Sequence, residues 1–438
     1  MKGMFDSLIS AFRLPELRKK ILYTLLILCL YTIGGLIPVP GLDRAAFTTL
    51  VQQWGTLGGL LDIVSGGGLY AATMFALGIT PYINASIIIQ LLTVVVPQLE
   101  TLAKEGQAGR KKMTRITRCT AMGLALIQSA LLCRTTKSAM IGTIPGWLNA
   151  ILIIVSFTAG TCFVVWLGER INEKGIGNGV SLIIFSGIVT RIPQMIRTLY
   201  AKAEEVDGLI HNAVLGKIAG IALFLIASCI TIAIIVFVLY VQNAERRIQV
   251  QYSKKTVGRK LYGGQTSYIP IKVNQSGVMP VIFAMSVLAL PTMIVQVFFG
   301  SSTGAVATFF RESFTGSAIY YIVYFFFIIL FTFFYSIIQF NPIEISQNIQ
   351  KNGGFIHGIR PGKPTTEYIY KTAMRLNWAD ALFLCLVCLV PTIAGILANL
   401  EGVWFAGTSV LILTGVANDF VTQLESQLVT RNYKGFLD

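Results

Sequence analysis

The stretch IAGIALFLIASCITIAIIVFVLYV, Ile218–Val241, carries no Asp, Glu, Lys, Arg or His over 24 residues. At about 1.5 Å per residue a helix of that length reaches roughly 36 Å, enough to cross a hydrocarbon core of about 30 Å. No soluble core needs so long an uninterrupted apolar run. The fold is therefore read as helices in a bilayer, and the rest of the chain follows the same plan. Its 438 residues are 54% hydrophobic and 13% charged, about half the charge of a soluble domain.

Working outward, further apolar runs occur at 21–37, 70–96, 118–133, 148–167, 180–197, 277–299, 318–338, 379–397 and 403–420. With Ile218–Val241 they predict ten spans. The net charge is +15. Taking the N-terminus as cytoplasmic leaves Arg44, Arg134, Lys137, Arg191, Arg197, Lys202, Lys217 and Arg311 outside. All the other members of the 35 Lys and Arg residues fall inside. That asymmetry is the positive-inside pattern. It supports the span count and places both termini in the cytoplasm.

Five spans precede the polar stretch Ala201–Lys217 and five follow it. An odd number per half means that the halves run in opposite senses, the inverted-repeat plan of many transport proteins. The expected organisation is an N-terminal half at 1–200, an external hinge at 201–217 and a C-terminal half at 218–438. Two long basic cytoplasmic loops lie in the second half, 244–274 and 341–371. They contain ERRIQVQYSKKTVGRK (Glu245–Lys260) and GGFIHGIRPGKPTTEYIY (Gly353–Tyr370). Both exceed what a helix connection needs, so a docking surface for a cytosolic partner or for RNA phosphates is expected there. Topological retention and contact with anionic membrane lipids account for the same charge. Arg360, between Ile359 and Pro361–Gly362, is expected to project from a turn.

GTLGGLLDIVSGGG (Gly55–Gly68) precedes the second span. Its apolar centre Leu57–Val64 is too short to cross, and glycines flank it. It reads either as an external loop with one helical turn or as a mobile segment folded back into a cavity. Ile79 and Ile83 stand four apart and share a helix face, as do Val180 and Ile184. Such isoleucines fit ordinary packing, and they also fit an apolar constriction that gates by dewetting. Asn84, Gln90, Thr93, Asn274 and Gln275 are polar groups of the kind that hydrogen-bond between helices. The span centres are nearly free of charge, with Asp419 and Arg191 toward span ends. This argues against an ion-coupled transporter.

The seven cysteines lie in or beside apolar runs. Cys385 and Cys388 form a CxxC without a second pair, which reads as packing. His211 and His357 fall on opposite sides of the membrane. HExxH, GxSxG and Walker sequences are absent from the chain, so neither catalysis nor a cofactor or metal is expected. The first apolar run, Ile21–Ile37, is too long for a signal-peptide core.

Several longer motifs carry a resemblance. They are IPVPGLD (Ile37–Asp43), FALGITPYINASIIIQLLTVVVP (Phe75–Pro97), KEGQAGRKK (Lys104–Lys112) and WLGERINEKGIGNGVSLIIF (Trp166–Phe185). IPIKVNQSGVMPVIFA (Ile269–Ala284), NPIEISQNIQKNGGFIHGIRPGKPT (Asn341–Thr365) and FAGTSVLI (Phe405–Ile412) continue the series. In this order they resemble the bacterial SecY family along nearly the whole chain. The resemblance implies an all-α polytopic protein with an hourglass pore and a lateral gate toward lipid. Its function would be translocation of unfolded secretory polypeptides across the bacterial plasma membrane.

Residue by residue, the resemblance implies a pore ring at Ile79, Ile83, Val180, Ile184, Ile282 and Ile412. The plug would span Leu57–Gly68, including Leu57, Leu60, Leu61, Ile63, Val64 and Gly66. Gln90, Thr93 and Asn274 would line the lateral gate. Arg246, Arg247, Arg259, Lys260 and Arg360 would dock the motor ATPase SecA or a ribosome, with contact to ribosomal RNA. SecE and SecG would be membrane partners, and signal sequences and precursor chains the cargo. Two departures stand out: His357 replaces a usual proline, and Asn84 a usual serine.

Overall fold

Long helices form wherever an apolar run lacks breakers, because a backbone in lipid must satisfy its own hydrogen bonds. The computed structural model describes residues 12–52, 62, 65–136, 139–141, 145–209, 213–252, 255–257, 260–262, 266–299, 318–397 and 407–434. In the first half, helices α1 (Pro15–Gly34), α2 (Arg44–Gln52), α3 (Thr80–Val95) and α4 (Pro97–Lys104) come first. They are followed by α5 (Gly106–Thr135), α6 (Gly146–Lys174) and α7 (Gly179–Leu209). The second half holds α8 (Ala213–Gln242), α9 (Met279–Phe299), α10 (Ala318–Gln339), α11 (Pro342–Lys351), α12 (Lys363–Leu397) and α13 (Gly407–Lys434). Each of the ten expected spans overlaps one long helix. Among the described residues, six helices are long and apolar enough to cross by length and composition alone, or seven with the bent pair α3–α4.

The second span departs from expectation. Its first ten residues are turns apart from Thr73, which bridges to Pro38, and helix begins only at Thr80. Gly78 takes φ +51° and Pro81 occupies the first helical turn, where its missing N–H is not needed. At the other end Pro97 breaks the ladder, and α4 leaves α3 at 102°. The polar stretch 201–217 also differs. The helices α7 and α8 extend into it from both sides, and residues 210–212 lie outside the described set.

The basic loops are not irregular. Strand β1 (Glu245–Tyr252) pairs antiparallel with β4 (Thr266–Lys272) and with β5 (Gly354–Ile356), and β2 (Lys255–Val257) pairs with β3 (Lys260–Tyr262). A three-stranded sheet thus stitches the two loops together, through Val250 opposite Ile356. Ile248, Val250, Ile271 and Ile356 bury one face against Ile349 and Ile369. Each such side chain contributes about 1.5–3 kcal/mol by leaving water. The fold remains predominantly helical, with these short strands confined to the basic loops. Asn341 starts α11 by accepting from the N–H groups of Ile343 (3.2 Å) and Glu344 (3.4 Å).

Packing between the halves runs along two lines. On one side α7 packs on α8 and α13, and on the other α3 and α5 pack on α9. The outer surface is apolar: Leu25, Leu26 and Ile33 of α1 and Ile221, Ile232 and Val236 of α8 are exposed. In a membrane protein that face meets lipid.

Candidate functional site: an apolar collar and a polar seam

Ile79, Ile83, Ile184, Ile282 and Ile412 are all buried members of a single apolar cluster, and Val180 packs against it. They come from four helices, two in each half. Each sits at the cap or in the first two turns of its helix: Ile79 and Ile83 on α3, Val180 and Ile184 on α7, Ile282 on α9 and Ile412 on α13.

Local features fix these helix starts. A turn joins α6 to α7, in which Asn172 Oδ1 accepts from the Gly179 N–H at 2.7 Å. A Cβ at Gly179 would lie 1.9 Å from the Gly168 carbonyl oxygen, so only glycine permits this approach. Thr24 of α1 braces the same turn, its hydroxyl oxygen accepting from the Ile176 N–H at 3.1 Å. Val180 and Ile184 are thereby carried to the inside of the first half. On α3, the Ile83 N–H bonds the Ile79 carbonyl at 3.1 Å, which keeps these two on one face.

Of the plug residues, Gly66 is described, and Leu57, Leu60, Leu61, Ile63 and Val64 lie outside the described residues. Gly66 rests on α7: a Cβ there would come within 2.8 Å of Gly187 Cα, three residues beyond Ile184. The segment therefore touches a helix that carries two collar residues.

The residues expected at the lateral gate divide. Gln90 Oε1 accepts from the Tyr335 hydroxyl of α10, a bond that spans the two halves. Thr93 turns its hydroxyl to its own helix, onto the Ile89 carbonyl at 2.7 Å. Asn274 is buried and accepts from the Gly277 N–H at 2.7 Å, shaping the turn into α9. Sequence reasoning named Gln275 in this seam but passed over Ser336, Asn377 and Asp380. Ser336 Oγ lies 2.7 Å from Asn377 Oδ1 and 3.1 Å from Gln275 Oε1. Asp380, fully buried, accepts from the Ser276 hydroxyl at 2.7 Å. The available signal was a serine, an asparagine and an aspartate inside otherwise apolar runs.

Arg246 and Arg247 lie exposed on β1, and Arg360 is exposed in the turn before α12. Lys260 begins β3, and Arg259 lies outside the described residues. The sheet brings the two basic loops together on one platform. Among the described residues no cluster of His, Cys, Asp and Glu is arranged to hold a metal ion.

Long apolar helices that share one buried apolar cluster, bordered by buried polar contacts, are the make-up of a multi-span membrane protein. The sequence model of SecY matches residues 73–421. The protein translocase subunit SecY of Streptomyces coelicolor is 44% identical over 451 residues, covering 99% of this chain and 100% of that relative. A solved structure of a protein-conducting channel superposes with a TM-score of 0.62 at 20% identity, over 94% of this chain and 93% of that one. A second, at TM-score 0.62 and 21% identity over the same shares, concerns the plug domain of a SecY protein, which stabilises the closed state of its channel and maintains a membrane seal. The chain belongs to the SecY family of translocation channels.

Proposed function

We propose that the chain is the protein-conducting subunit of a bacterial plasma-membrane translocase, with both termini in the cytoplasm. It passes unfolded secretory polypeptides outward and releases apolar segments sideways into lipid. The observation that carries this reading is the collar, six apolar side chains drawn from both halves into one buried cluster. A polypeptide cannot enter lipid with its backbone unsatisfied. Water-filled funnels on either side shorten that barrier to one ring. Aliphatic side chains exclude water and ions when idle, and they yield around a moving chain because they make no directional bonds.

The segment 57–68 seals the outer side of the ring when idle. The seam at Gln90 and Tyr335 is where the halves part toward lipid, and the stretch 201–217 is the hinge opposite. The platform of Arg246, Arg247, Arg259, Lys260 and Arg360 receives SecA, or a ribosome through its RNA phosphates. SecE and SecG complete the membrane assembly. A partner supplies the work.

The test is reconstitution of the chain with SecE, SecG and SecA in proteoliposomes with a secretory precursor. Protease-protected precursor is expected. Failure to protect it, with an assembled complex, contradicts the reading. Arg360→Glu is expected to lower motor-driven export about tenfold, since like charges oppose docking, and to leave assembly intact. Export at the normal rate would remove that turn from the docking surface.

A further inference from the structure

Asp62 lies within the plug segment and is fully buried. A lone buried carboxylate is costly, so its partners matter. The Arg191 guanidinium of α7 pairs with its Oδ2. Its Oδ1 accepts from the Tyr70 N–H at 2.8 Å. The same arginine lies 5.9 Å from the centre of the Tyr70 ring, a cation–π contact. The pair joins residues 129 positions apart in sequence.

Around it the segment is knotted on itself. The Gly67 N–H and the Ser65 hydroxyl both donate to the Asp62 carbonyl, at 2.8 and 3.1 Å. The Tyr31 hydroxyl of α1 donates to the Ser65 carbonyl at 3.3 Å. Gly66 meets Gly187 in a contact too close for any side chain on either residue. The knot is thus pinned to α1 and α7 at three points, and one of them is an ion pair.

We infer that Asp62 and Arg191 form an electrostatic latch that holds the plug segment against the collar, Arg191 being a positioning residue. The inference rests on the plug reading above and adds the fastening. Its physics also supplies a release. Two opposite charges attract several-fold more strongly in a dry interior than in water. While the collar is closed Asp62 is fully buried and Arg191 mostly so, and the pair is tight. When an entering chain parts the collar and water reaches the pair, the attraction falls and both charges become hydrated. The latch is therefore strong in the idle channel and weak in the open one. Truncating one partner of a buried pair leaves the other charge stranded, so single changes weigh more than the pair itself.

The experiment is ion leak through the idle SecE- and SecG-bound complex in planar bilayers. Asp62→Asn and Arg191→Gln are each expected to raise the leak about tenfold or more. The exchange Asp62→Arg with Arg191→Asp is expected to recover most of the seal. Deletion of residues 57–68 serves as the reference. If the deletion leaks and the single variants do not, the latch is wrong and the plug reading stands. A deletion that does not leak overturns both. In a cysteine-free background, Leu69→Cys reports the segment's position independently of conductance. Its alkylation by an external thiol reagent should speed up about tenfold with Arg191→Gln. Equal rates in an assembled complex would overturn the latch, even if the leak changes for another reason.

Discussion

The collar and the seam lie between the same two halves but are held by different forces. The isoleucines of the proposed collar, from α3, α7, α9 and α13, lie in one buried apolar cluster. At the seam, Gln90 of α3 meets Tyr335 of α10 through one directional hydrogen bond, and Ser336, Asn377, Gln275 and Asp380 continue polar contacts behind it. Apolar contact has no required direction, so a passing chain can replace a lost neighbour at little cost. A hydrogen bond is kept or broken. On the proposed function, one region would grip variable cargo and the other would stay shut until a specific contact is exchanged. A signal helix that offers apolar surface to lipid breaks few bonds of the first kind and one of the second.

This contrast can be broken experimentally, most strongly at the collar. Ile83→Ser with Ile282→Ser wets the ring from both halves. The idle complex is then expected to leak ions about tenfold or more, because a dewetted constriction loses its barrier once lined by hydroxyls. Unchanged conductance would mean that the seal lies elsewhere. A middle effect is expected from Tyr335→Phe, which removes the bond across the seam and keeps the ring. A hydrogen bond of about 1 kcal/mol corresponds to about a fivefold shift toward the parted seam. Export of a precursor with a weakened signal sequence should rise by that factor. If it does not, the Gln90–Tyr335 contact does not hold the gate. The smallest effect is expected at Thr93→Ala. That hydroxyl bonds its own helix, so export should change less than about twofold. A large change would show that Thr93 acts across the seam despite its observed partner.

Much of this was legible in the sequence. Ile218–Val241 could be nothing but a span, and the basic residues sorted themselves onto one side. The pair Ile79–Ile83 shared a face by spacing. What spacing could not reveal was that Ile83, Ile282 and Ile412, from helices of both halves, are buried in the same apolar cluster. The sheet of the basic loops had a local trace, with Ile248 and Val250 alternating with Gln249 and Gln251 in the period of a strand. Its pairing with Phe355, some hundred residues on, had none. The break before Thr80 was hidden because Gly78 and Pro81 sit in a stretch apolar enough to pass as helix. The tie between Asp62 and Arg191 was illegible for a simpler reason. One residue looked like part of a loop and the other like the end of a span.

Cross-linking of a stalled precursor tests the central claim most directly. In a background with the seven native cysteines replaced, single cysteines at positions 79, 83, 180, 184, 282 and 412 should each link to a cysteine in the arrested chain. Cysteines at the lipid-facing positions 25 and 232 should not. Linkage at 25 and 232 with none at the six would contradict the account, because the chain would then be moving outside the ring.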